Sequence, residues 1–188
     1  NIEALELAPI PEKVGDMLSE QFKTKNITFS INIPADCKKI MADRGQIERV
    51  FINLLGNALK FTPEKGSISV KAACSNKMIQ IDITDTGFGI PEEAQEKIFE
   101  EFYRVDNTIN QEVKGTGLGL TIAKRCIELH KGSIEIKSDV NKGTTVEQNL
   151  ETITTAKRAG LLTKAYLVVG FPGETQETID ATKRFMDA

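Results

Sequence analysis

The chain has 188 residues, 40% of them apolar and 27% charged, with a formal net charge of −3. This length buries one ordinary core, or one core with a small appendage, and the balance is that of a folded globular protein and excludes a disordered or fibrous one. Lys and Arg are scattered, so no nucleic-acid partner is expected. No apolar run approaches the roughly 20 residues that cross a bilayer, so a cytoplasmic piece without direct membrane contact is expected. Cys37, Cys74 and Cys126 are far apart, without the spacing of a zinc site or a disulfide framework, and are expected as buried thiols.

Residues 11–24 place Val14, Met17, Leu18 and Phe22 at helical spacing, with Pro11 suited to a first turn. Ile27, Phe29, Ile31 and Ile33 then alternate as a strand, and residues 40–42 offer a second short one. From Asp43, an N-cap candidate, Ile47, Val50, Phe51, Leu54, Leu55 and Ala58 line one face of a helix that must end near Thr62, because Pro63 follows. Residues 67–73 and 78–84 alternate and predict an antiparallel hairpin. A short helix follows Pro91, and a polar stretch over 104–117 predicts a lid. A helix over 118–129 turns Ile122, Cys126 and Leu129 to one side, stops at Lys131-Gly132, and leads into a strand over 133–138. This order predicts a two-layer α/β (α+β) sandwich: a mixed, mostly antiparallel sheet with helices on one face.

Four segments carry chemistry. On the helix after Asp43, Asn53, Asn57 and Lys60 follow at steps of four and three and share one face. Neutral amide oxygens suit Mg²⁺, and a lysine on the same face can reach a phosphate as a point charge. A solvated face would give the same letters, but Asn is a poor interior helix residue and two at this spacing need a reason. Next, Asp85-Thr-Gly87-Phe-Gly89-Ile90-Pro91 ends a strand: the glycines let backbone approach a flat ligand, and the carboxylate can accept from an exocyclic amine. A tight Asx turn without a ligand reads the same way.

The third segment, Phe99-Glu-Glu-Phe102-Tyr-Arg104, supplies two aromatics expected as core anchors for the lid and an arginine placed to meet phosphate oxygens. The fourth, Gly115-Thr116-Gly117-Leu118-Gly119-Leu120, opens a helix, where free amides and the helix dipole make a phosphate seat. Its spacing is neither the dinucleotide fingerprint nor a P-loop.

Taken in order, these segments resemble the N, G1, F and G2 boxes of sensor histidine kinases, within the ATPase superfamily shared with gyrase, Hsp90 and MutL. The resemblance covers about residues 5–145. It implies that ATP or ADP lies between the box helix, the sheet and the lid. Asn57 would chelate Mg²⁺, and Asn53 and Lys60 would meet phosphates. Asp85 would read the adenine amine and Phe61 would lie against the adenine. Gly87, Gly89, Ile90, Arg104 and Thr144 join the cofactor-binding set, and Gly115 to Leu120 would wrap the phosphates. A kinase of this type phosphorylates a histidine on a dimerisation domain and serves a response regulator. The only histidine here, His130, ends a helix, where interaction with the helix dipole or packing explains it. The acceptor is therefore expected on a separate domain, and autophosphorylation is not expected from these residues alone. Two rival readings stand beside this one. One is a superfamily ATPase or serine kinase with Glu48 as a base on the box helix; the other is a scaffold module without nucleotide.

Beyond the Lys142-Gly-Thr-Thr145 turn, helices over 147–159 and 175–186 flank a strand over 165–169, an appended α-β-α segment. Gly170-Phe-Pro-Gly173-Glu-Thr175 resembles a turn of a radical SAM barrel, without the Cys-x-x-x-Cys-x-x-Cys motif that its cluster needs. A chimera of domain 1–145 and segment 146–188 is the expectation. An unrelated interaction appendage and a partly disordered tail are its alternatives. The apolar strand needs cover, either from the kinase sheet or by self-association with a second copy.

Overall fold

The computed structural model describes residues 2–35, 37, 39–75, 78–105, 115–138 and 163–170, the last segment through its backbone. Its elements in chain order are β1 (Glu3–Glu6), α1 (Pro9–Thr24), β2 (Thr28–Asn32), β3 (Lys39–Ala42), α2 (Arg44–Phe61), β4 (Ser67–Ser75), β5 (Met78–Asp85), α3 (Glu92–Gln95), a 3-10 turn (Lys97–Phe99), α4 (Gly119–Leu129), β6 (Ser133–Lys137) and β7 (Thr163–Gly170).

Five strands form one sheet in the order β2-β4-β5-β7-β6, in which only the β2–β4 pair is parallel. The helices follow the same order above it. α1 packs on β2 and α2, α2 on β4, β5 and α4, and α4 on β6 and β7. This is the expected two-layer sandwich with a mixed, mostly antiparallel sheet. β1 and β3 form a separate antiparallel ribbon. β1 is absent from the sequence reading, although Leu5 on it and Leu7 just after it, both fully buried, stand on either side of the exposed Glu6.

The long helix α2 forms as its sequence dictates. Asp43 at φ −84° and ψ 117° accepts the Gln46 amide at 3.0 Å on its carboxylate, a side-chain N-cap. Ile47, Val50, Phe51, Leu54, Leu55 and Ala58 are all buried. Thr62 is the C-cap residue, and Lys25 closes that end: its Nζ donates to the carbonyls of Leu59 (2.8 Å), Lys60 (3.2 Å) and Thr62 (3.0 Å). The orphan acceptors of the last turn are thereby satisfied by a cation placed at the negative end of the helix.

Several expectations are corrected. Met17 and Leu129, assigned to inward faces, are 61% and 66% exposed. Helical spacing names a face, but the width of the buried stripe depends on how closely a neighbour approaches. Cys37 and Cys74 are not separate thiols but a disulfide, with Cα atoms 5.5 Å apart, while Cys126 is a buried free thiol. Parallel pairing of β2 with β4, with Asn32 opposite Lys71, runs the chain after β2 alongside the end of β4 and brings the two cysteines together. Closing a loop of 37 residues in this way stabilises the fold by about 2–4 kcal/mol.

The strand expected over 165–169 is β7. It pairs antiparallel with β5 (Asp85 opposite Thr163) and with β6 (Lys137 opposite Lys164), and so lies inside the sheet. The helices expected over 147–159 and 175–186 and the lid over 107–114 lie outside the described residues. Among the described residues no helix is long and apolar enough to cross a membrane.

Candidate functional site

A cavity of about 380 Å³ opens between α2, the sheet and the start of α4. α2 contributes Asn53, Asn57, Lys60 and Phe61, and the end of β5 with its turn contributes Asp85, Gly89 and Ile90. Arg104 stands at one rim, and the whole run Gly115, Thr116, Gly117, Leu118, Gly119 and Leu120 lines the side where α4 begins. The structure thus gathers segments that lie up to 83 positions apart, from Asn53 to Ile136 on β6, around one volume.

Each position has a local cause. The Asn53 amide nitrogen donates to the Arg49 carbonyl one turn back, at 2.9 Å, which leaves its oxygen to face Gly119. Asp85 ends β5, and burial pushes its carboxyl up from 3.8 to about 6, against the lowering pull of the hydrogen bond from the Gly87 amide. Gly87 itself is not among the lining residues. A Cβ there would sit 2.9 Å from the Phe61 carbonyl oxygen, so this glycine lets the turn close against the end of α2.

The far wall is built around Gly117, at φ +72°, where a Cβ would lie 2.7 Å from the Phe102 carbonyl carbon. Arg104 reaches back and donates to the Gly115 carbonyl at 3.3 Å, joining the lid entrance to the glycine-rich run. α4 starts at Gly119 with no side-chain cap on Leu118, so its first-turn amides face the cavity unshared with a capping group.

Phe99 and Phe102 divide. Phe99 packs on the core, its carbonyl accepts the Thr121 hydroxyl at 3.0 Å, and Lys124 Nζ stands 5.2 Å from its ring centroid. Phe102, expected as a second anchor, is 69% exposed, because a φ of +64° turns its side chain away from the core. Glu48 is a further correction to the base reading. It lies outside the cavity lining, and both its carboxylate oxygens accept from Lys13 Nζ on α1, at 3.1 and 3.2 Å. Counting from Asn57, it falls nine residues back, on the α1 side of the helix. Thr144 lies outside the described residues.

The sequence reading missed Ile83, Phe88, Ile136 and Tyr103, which also line the cavity. Ile83 was legible, since strand alternation places it on the face that carries Asp85. Ile136 was not, because β6 reaches the cavity only through its place in the sheet.

The cavity thus combines a strand-end carboxylate, two helix amides, a lysine and an uncapped, glycine-rich helix start. The family model for histidine kinase-, DNA gyrase B- and HSP90-like ATPases matches residues 42–153, more than half of the chain. The chain belongs to this ATPase family. Among its relatives, the adaptive-response sensory kinase SasA of Gloeothece citriformis is 38% identical over 141 residues, which cover 74% of this chain and 35% of SasA. The signal transduction histidine-protein kinase ArlS of Staphylococcus aureus is 49% identical over 117 residues, 62% of this chain and 26% of ArlS. The chain therefore spans about a third of the first relative and a quarter of the second. Of solved structures, the nucleotide-free catalytic domain of histidine kinase ThkA superposes with a TM-score of 0.71 at 25% identity, over 90% of this chain and 97% of that one. ThkA in complex with the response regulator TrrA gives a TM-score of 0.68 at 23% identity, covering 93% of this chain and 43% of that one, a likeness of fold.

Proposed function

We propose that this chain is the Mg-ATP-binding catalytic domain of a two-component sensor histidine kinase, donating the γ-phosphoryl group to a histidine on a separate dimerisation domain. The observation that carries this reading is one cavity lined by Asp85, by Asn57 and Lys60 of α2 and by the uncapped, glycine-rich start of α4. Asp85 accepts the adenine amine, and Phe61 and Ile90 hold the ring. Gly115 to Leu120 offer backbone amides to the phosphates, with Lys60, Asn53 and Arg104 neutralising or bonding them.

Mg²⁺ would be held by Asn57, whose neutral amide oxygen suits a hard cation without adding a formal charge. The ion would supply charge neutralisation on the transferring group. The rest is positioning, and no residue here forms a covalent intermediate. The incoming histidine nitrogen bonds to phosphorus as the bond from phosphorus to the ADP oxygen breaks. The reading extends to a response regulator as the eventual acceptor, on the strength of the sensor-kinase relatives. In the same reading residues 146–188 have a separate origin, joined near Lys142 to Thr145, and contribute β7 to the sheet.

Thermal unfolding with and without Mg-ADP tests the pocket. A ligand at 100 times its Kd adds about 2.7 kcal/mol to the folded state. The parent is expected to show such a rise, and Asn57→Asp and Asp85→Asn to lose it. Transfer of labelled phosphate from ATP to an added histidine-bearing dimerisation domain tests the kinase step. No rise at millimolar nucleotide would favour the scaffold reading.

A further inference from the structure

His130 has no place in the site described above, yet it is one of two buried polar residues among those described, and both of its ring nitrogens are engaged. Nε2 accepts the backbone N–H of Asp43 at 2.9 Å, and Nδ1 donates to the Cys126 carbonyl at 2.6 Å. An acceptor at Nε2 requires the tautomer with its proton on Nδ1, which is the proton that the Cys126 carbonyl takes. The turn that presents the ring is itself bonded: the amides of His130 and Gly132 both donate to the Ile127 carbonyl, with Lys131 at φ +58°. A group that only capped α4 would need the Cys126 bond alone. The second bond crosses 87 positions to the N-cap residue of α2.

α2 and α4 lie side by side and antiparallel, so His130 at the end of α4 meets the start of α2. At the other end of the pair Gly119 meets Asn53, where a Cβ would stand 3.1 Å from the Asn53 oxygen. From Asp43 to Asn53 is ten residues and from Gly119 to His130 eleven, which at the helical rise are lengths of about 15 and 16–17 Å. The two contacts therefore close the two ends of one parallelogram. One end is the nucleotide cavity; the other is His130.

We infer that His130 is a positioning residue for the phosphate half of the cavity. Its bond to Asp43 sets how far along α2 the glycine-rich start of α4 sits, and hence whether the first-turn amides of α4 face the same volume as Asn53 and Asn57. The Asp43 amide precedes the ladder of α2, where it would otherwise be an orphan donor, so the bond is a fixed point on that helix. Asp85 ends β5, which no bond of His130 reaches, and Phe61 is the last residue of α2, at the opposite end of that helix from Asp43. The adenine end is therefore independent of it. This inference rests on the nucleotide-binding reading.

The test compares Mg-ADP and adenosine binding by the full chain carrying His130→Gln, His130→Asn or His130→Leu, each measured well below its own unfolding midpoint. The Gln side chain ends near the place of Nε2 and can still accept from Asp43; Asn reaches only toward Cys126, and Leu bonds to neither. Gln is expected to keep ADP affinity within about twofold, and Asn and Leu to lose about five- to tenfold, the worth of one buried hydrogen bond. Adenosine affinity should stay level in all three. Asn and Leu variants that hold ADP as tightly as the parent would overturn the positioning role and leave nucleotide binding standing. Equal loss of ADP and adenosine would overturn it too, by making His130 a general stability residue. A parent that binds neither ligand would overturn both readings.

Discussion

The Asp85 carboxylate accepts the Gly87 amide at 2.8 Å, folding the end of β5 back on its own turn at the floor of the cavity. That single bond does not offset burial, which pushes the carboxyl up to about 6. Below that value the group carries a proton and is a poorer acceptor for an adenine amine. Adenosine, which has no titrating phosphates, is expected to bind more weakly at pH 5 than at pH 7.5. A flat profile measured by calorimetry across that range would count against adenine recognition by Asp85.

The same shift has an opposite consequence for stability. Because the native carboxyl holds its proton more tightly than the unfolded one, the native state binds more protons between pH 3.8 and about 6, and this group's contribution to stability falls as pH rises through that window. Above the window the ionised group is a net cost. Asp85→Asn keeps an oxygen for the Gly87 amide and removes the charge. It is expected to stabilise the chain at pH 7.5 by about 1–3 kcal/mol while abolishing the ADP-dependent rise. Urea unfolding of both proteins checks it; an unchanged or lower midpoint in the variant would remove burial of charge as the explanation.

Gly117 stands at φ +72° with the Phe102 backbone within 2.7 Å of where a Cβ would go. Gly117→Ala is expected to cost about 1–2 kcal/mol from the left-handed backbone alone. Phe102 must also move, and Arg104 with it. The larger effect should be on ADP binding, by at least about tenfold if one phosphate contact is lost. A variant with parental affinity would show that the wall can give way without consequence.

Lys25 gathers three carbonyls from the last turn of α2, where Lys60 and Phe61 face the cavity. Lys25→Met keeps the stem and removes the donor. An expected loss of about 1–3 kcal/mol follows from three acceptors left short and a frayed helix end. Hydrogen exchange should quicken at the end of α2 before it does so at Ile47 or Val50. Uniform quickening along α2 would instead point to a general loss of stability.

β7 separates β5 from β6, and Ala165 stands opposite both Ile83 and Ile136, two residues of the cavity lining. A chain ending at residue 145 is therefore expected to unfold at a lower temperature and to bind ADP poorly, with β6 deprived of its partner. Limited proteolysis of the full chain offers a second check. Immediate removal of everything beyond Val146 with ADP binding intact would sink the claim that β7 supports the site.

The parts of the site that were legible in the sequence are those written in short-range spacing. Steps of four and three gather Asn53, Asn57 and Lys60 onto one helix face, and the Gly115 to Leu120 run announces a helix start whatever surrounds it. Asp85 at a strand end is of the same kind. Glu48 failed because spacing was not carried through from Asn57: nine residues back along a helix is a different direction, and Lys13 waits there. Phe102 failed because a two-aromatic pattern reads as packing, while a single positive φ reverses the second ring.

The sequence by itself thus determined the sandwich and most of its described elements, because helical and strand periodicities are local properties that survive any arrangement of neighbours. Only the tertiary structure decided the contacts whose partners are remote: Cys37 with Cys74, His130 with Asp43, Lys25 with the end of α2, and β7 between β5 and β6. Periodicity names a face without naming what covers it. Pairings across tens of residues are selected by the register of the whole sheet and by the offset of one helix against another, and neither is written in any single segment.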